Sequence, residues 1–181
     1  MKNLKFLSLV VFGFLLITFS SCDKATDLAD VTFDATLSAN IDATSASETR
    51  ADTYAFSGSA VIDPTSNATI KEYWDNIKNW DIKKITVKVK SIEQEANLLQ
   101  GNLVVNDNNT QEELYTAAAQ ALPLTPGTVI LTVTEGDWSK ITNALNSQHA
   151  LLALVNGAID QPDVDITFEV IIELRVTANP L

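Results

Sequence analysis

The chain has 181 residues, with 12 Lys and Arg against 23 Asp and Glu and a formal net charge of −11. Such a surface repels phosphate backbones and anionic head groups, which excludes nucleic acid as a partner. One cysteine and one histidine rule out an intramolecular disulfide and leave almost nothing for a zinc site or a serine–histidine triad.

At the N-terminus, Lys2 and Lys5 precede an apolar run over residues 6–19, followed by Ser20, Ser21 and Cys22. At ~1.5 Å per residue that run reaches only about 21 Å, short of the roughly 30 Å hydrocarbon core, so it reads as a cleaved export signal rather than a membrane span. The segment resembles the lipobox of bacterial lipoproteins, with Phe19 where Leu is usual and small residues before the cysteine. That resemblance implies a signal peptide over residues 1–21, acyl chains such as palmitate on Cys22, and a membrane anchor in the bacterial cell envelope, at the outer membrane with the leaflet left open. Removing residues 1–21 leaves 160 residues with ten basic and 23 acidic side chains, a net charge of −13. One core of normal size is expected.

Residues 22–30 are short, polar and acidic and read as a lipidated tether, and residues 31–181 as a single domain. Val31, Phe33, Ala35, Leu37, Ala39 and Ile41 alternate with polar residues, as in a half-buried strand. Residues 43–52 lack periodicity and read as a loop. Residues 54–62 alternate again and end at Asp63-Pro64. Thr69 and Glu72 have capping-box spacing, and Ile70, Tyr73, Trp74 and Ile77 follow on one helical face. Residues 80–92 form a third strand, with Lys84, Lys88 and Lys90 on a solvent face where they guard against edge pairing. A hairpin turn leads to a fourth strand at 98–105. Thr110 to Glu113 repeats the capping-box spacing, and the Ala-rich residues 114–122 predict a short helix stopped by Pro123. A fifth strand lies at 128–134. Asp137 caps a helix presenting Trp138, Ile141 and Leu145, a sixth strand runs over 148–159, and residues 164–177 show the clearest alternation in the chain.

About seven alternating strands with short helices in the connections predict a mainly β fold, a two-layer antiparallel β-sandwich of immunoglobulin-like type, with a β-barrel as the alternative. Domains of this kind are common among uncharacterised bacterial envelope lipoproteins, and this chain looks like one of them; the resemblance implies no activity.

No phosphate loop is present, and no cofactor is expected. Asn106, Asn108 and Thr110 have the alternate spacing of a calcium loop, but Gln111 and Ala117 replace the required Gly and Glu. Asp160, Asp163 and Asp165 offer a looser oxygen cluster, read as a solvated turn, so no metal site is assigned. His149, without a local partner, is read as structural. The ligand candidates are aromatic: Trp74 and Trp138 lie on helical apolar stripes that predict burial, and Trp80 is expected to be the most exposed. The resulting expectation is a non-enzymatic, lipid-anchored module that binds a glycan or an envelope protein. The alternative is a periplasmic or surface hydrolase using paired carboxylates, with no pair assigned: Glu169 and Glu173 lie on the outer face of the last strand, where exposure favours solubility over a pocket.

Overall fold

A computed structural model describes residues 30–47 and 52–179. Cys22 and the signal segment lie outside the described residues. Nine strands follow in order: β1 (Val31–Thr44), β2 (Tyr54–Ile62), β3 (Ile77–Ile92), β4 (Ala96–Asp107), β5 (Glu113–Ala118), β6 (Leu122–Leu124), β7 (Val129–Val133), β8 (Leu151–Ile159) and β9 (Asp165–Ala178). Helix α1 (Ala68–Tyr73) lies between β2 and β3, flanked by 3-10 turns at Pro64–Ser66 and Trp74–Asn76, and α2 (Ser139–Asn146) precedes β8. The strands form two antiparallel sheets packed face to face. The first has the order β1-β9-β3-β7; the second has β2-β8-β4-β5, with β6 also paired to β4. The architecture is a β-sandwich.

Strand β9 is the centre of the first sheet. Its inward residues Ile166, Phe168, Val170, Ile172, Leu174 and Val176 are all buried, and β1 and β3 pair along its two sides. Phe168 stacks on Phe56 of the opposite sheet at 5.4 Å between ring centroids. Phe56 lies directly across from Gly157, where a Cβ would collide with the Gln100 carbonyl and the Phe56 ring. The glycine leaves the space that the aromatic ring fills, as aromatic residues do beside strand glycines.

Both sides of the sandwich are closed. Strand β2 approaches β1 so tightly that a Cβ on Gly58 would collide with the Asp42 carbonyl, and Ala46 N–H donates to Ala55 O at 2.9 Å. Opposite, residues 119–121 bridge the sheets: Ala119 N–H donates to Gly101 O at 2.8 Å and Gln120 N–H to Ile130 O at 3.0 Å. The Asn67 side chain donates to Thr36 O, covering part of the β1 edge, and accepts from Thr69 and Ile70 N–H. Asn67 thus caps α1, not the expected box at Thr69.

Three further expectations are corrected. The Ala-rich segment 114–122 is not a helix but β5 and β6. A helix start after Thr110 competes with a turn in which Asp107 accepts from Asn109 and Thr110 N–H, and Gln111 adopts a φ of 62°. Pairing with β4 then satisfies the backbone, and propensity is overridden. Strands β3 and β4 are not a hairpin: residues 93–95 carry the chain from one sheet to the other. Nor do the β3 lysines guard an edge, because β3 lies between β9 and β7.

Truncating Phe168 to Ala is expected to cost about 3–5 kcal/mol. Gly157→Val should cost about 1–3 kcal/mol or more by overpacking against the Gln100 carbonyl, Gly101 and the Phe56 ring. Urea denaturation of both variants checks the two values, and a neutral Gly157→Val would refute the close-packing account.

Candidate functional site

The two outer faces of the sandwich differ in chemistry. On the first sheet, charges pair across strands: Lys84 with Glu173 at 2.6 Å, Lys88 with Glu169 at 2.7 Å, and Arg175 with Asp34 through contacts of 2.8 and 3.3 Å. Lys84 and Glu173 are register partners, as are Lys88 and Glu169. The Arg175 hydrogen bond holds the Asp34 carboxyl below its ordinary value. Glu169 and Glu173 are therefore each paired with a lysine on an open sheet face.

On the second sheet, strand β2 and strand β8 contain no ionisable side chain except Tyr54, and β4 contains only Asp107, which ends it. Register places Ser57, Asn156 and Asn102 in one row, Ser59, Leu154 and Val104 in the next, and Val61, Leu152 and Asn106 in a third. Alternation turns these side chains outward, because the intervening Leu103, Val105, Ala153 and Val155 are buried. Val61 is 49% exposed.

A shallow groove of about 480 Å³ crosses this face above the Gly101–Gly157 pair, lined by Ala55, Gln100, Asn102 and Asn156. None of the three carboxamides has a hydrogen-bond partner among the described residues. Each offers two N–H donors and a carbonyl acceptor to solvent or a ligand. Further along the same face, the Asn106 Oδ1 is shielded from solvent without a donor. This groove is the candidate site. Its residues were not singled out in the sequence, although the scarcity of charge in the three separate segments that become β2, β4 and β8 was a visible signal.

The tryptophans do not form a platform. Trp80, expected to be exposed, is only 3% exposed. Bulges at Ile77/Asn79 and Ile82/Lys84 interrupt the β3 alternation on either side, and Trp80 turns inward to meet Trp74 edge-on at 6.2 Å. Trp74 is half-buried against the core, as is Trp138, which packs separately on Tyr115 at 4.9 Å.

His149 has a partner that the sequence did not reveal. Its Nδ1 lies 2.7 Å from Asp107 Oδ2, and Asp107 is 5% exposed. The pair borders a cavity of about 230 Å³ that also includes Ser147 and Lys140. No hydrogen bond joins Ser147 Oγ to His149 among the described residues, so a nucleophile–base contact is not formed. The pair instead joins the β4–β5 turn to the start of β8, alongside Asn108 N–H donating to Ala150 O at 3.0 Å. In the acidic turn after β8, Asp160 is held by Asn97 N–H at 2.7 Å and its Nδ2 at 2.6 Å. Among the described residues, no cluster of three or more His, Cys, Asp or Glu is placed to hold a metal ion, and no helix is long and apolar enough to cross a membrane.

No family model and no curated protein matches the chain.

Burial disfavours the charged form of Asp107, but the His149 hydrogen bond and the Thr110 and Asn109 N–H groups outweigh it, and its pKa falls below 3.8. With a depressed folded pKa, the stabilisation is complete above about pH 3.8 and is lost as pH falls through the lower folded value. Wild type should therefore lose melting temperature relative to Asp107→Asn below about pH 4. Thermal melts from about pH 6 to about pH 3 check this, and a constant gap would contradict it.

Proposed function

We propose that this chain is a lipid-anchored cell-envelope protein, non-enzymatic, that binds a neutral glycan in the groove formed by Gln100, Asn102 and Asn156. The observation that carries the reading is the set of unpartnered carboxamides on the uncharged β2–β8–β4 part of a sheet face, in a chain with net charge −11. Sugar hydroxyls are both donors and acceptors, and carboxamides match them without the desolvation penalty of an ionised group. Anionic polymers are disfavoured by the net charge. This moves the glycan site from the tryptophans to the second sheet. The anchor rests on Cys22 and the signal-like segment before it.

Binding of neutral and anionic oligosaccharides by calorimetry tests the groove. Asn102→Ala and Asn156→Ala should each weaken neutral-glycan binding by about 0.5–1.5 kcal/mol, roughly two- to tenfold, while leaving the fold intact because neither side chain has an internal partner. Unaltered binding in the double variant would sink the assignment. For the anchor, Cys22→Ser should abolish acyl labelling and release the protein from membranes; continued membrane association would refute it.

A further inference from the structure

Several observations converge on one end of the sandwich. Val31 pairs with Ala178, and Ala178 with Ile77, so the start of β1, the end of β9 and the start of β3 lie together. The α1 segment after β2 leads to the same end: the Asn67 side chain reaches Thr36 O, and Asn179 N–H donates to Asn76 O at 2.9 Å. Asp30 is fixed there by Lys78 Nζ at 2.6 Å. Tyr73 is half-buried against Phe33, with ring centroids 5.6 Å apart, and Trp74 is half-buried beside Trp80. The opposite end differs. Its turns and strand ends hold Asp42, Asp52, Glu93, Glu95, Asp160, Asp163 and Asp165, with no Lys or Arg among the described residues 42–47, 52–54, 92–96, 124–129 and 160–165.

Chain length then limits how an anchored molecule can stand. Cys22 and Asp30 are eight residues apart, so even a fully extended chain between them spans at most about 29 Å. Strand β9 has 14 residues, which at about 3.3 Å per residue makes the sandwich about 43 Å from end to end. A molecule standing on its acidic end would hold Asp30 about 43 Å above the lipid, beyond the reach of the tether. Seven carboxylates without a neighbouring Lys or Arg among the described residues would meet more repulsion from anionic head groups than Asp30, Glu72 and Asp75 at the other end, which Lys71 and Lys78 partly offset.

We propose that the end formed by Asp30, α1 and the Trp74–Asn76 turn rests against the lipid surface, with Tyr73 and Trp74 at head-group level. This rests on the anchored reading of Cys22. Partly buried Tyr and Trp suit that position because each has an apolar body and a polar tip. The acidic end then points away from the membrane, and the carboxamide groove stands on a side wall, open to a glycan lying beside the bilayer.

The test uses the full chain, purified with its native N-terminus from cell membranes and reconstituted into vesicles of phosphatidylethanolamine and phosphatidylglycerol containing an acceptor-labelled lipid. Single variants Asp75→Cys and Gln94→Cys, at opposite ends and both exposed, carry a donor fluorophore. Energy transfer to the membrane should be several-fold stronger from position 75 than from position 94. Equal or reversed transfer, with both proteins vesicle-bound and acylated, would overturn the orientation alone. Failure of both variants to associate, with no acyl mass on Cys22, would overturn the anchor and the orientation together.

Discussion

The alternation of β9 is the constraint on which the rest of the structure depends. Every second residue from Ile166 to Ala178 is buried, and the residues between include Glu169, Glu173 and Arg175. A register slip of one residue would bring those charges into a dry interior and expel the apolar set. The penalty fixes β9, and β9 in turn fixes β1 and β3, which pair with it on either side. The second sheet is then positioned by side-chain packing across the interior, with backbone hydrogen bonds only along the two sides. Phe168 meets Phe56, and Gly157 leaves room for the ring. Register and inter-sheet packing are therefore coupled through one aromatic pair.

Given that frame, the two outer faces have different physical roles. On the first sheet, the Lys–Glu and Arg–Asp pairs are mostly solvent-exposed, and such pairs contribute about 0–1 kcal/mol each. Their main effects are solubility and a charge pattern that fits only one register. On the second sheet, Asn102 and Asn156 sit in the interior strands β4 and β8, where amide side chains are poor strand formers. Neither packs in the core nor forms an internal hydrogen bond, so folding gives no reason for their presence. A ligand does.

What was legible in the sequence follows the range of each interaction. Period-two patterns revealed β1, β2 and β9 because inward and outward positions are set residue by residue. The segment 114–122 misled because its alanines and its Thr110–Glu113 spacing favour a helix locally, whereas pairing with β4 and the Asp107 turn are decided elsewhere in the chain. Trp80 misled because β-bulges on either side re-aim it, and bulges leave no composition signal. His149 and Asp107 are 42 residues apart, so nothing local marks their contact. The groove falls between these cases. The uncharged strands were visible one by one, but the row Ser57–Asn156–Asn102 exists only through the register of three strands that are not consecutive in sequence.

Under the proposed anchoring, the protein would also face a crowding problem that the fold addresses. Lipid attachment would concentrate copies in a plane, where open sheet edges invite pairing between molecules. Here β1 is covered by β2 and by the Asn67 side chain, and residues 119–121 span the gap between β4 and β7. The first sheet presents fixed charges, and the acidic end adds repulsion between neighbours. The β2–β8–β4 part of the second sheet is thus a broad face on which another molecule can approach without either breaking an ion pair or confronting like charge. Its polar groups are donors and acceptors awaiting partners, which suits a hydroxyl-rich chain better than the apolar contact of a second copy.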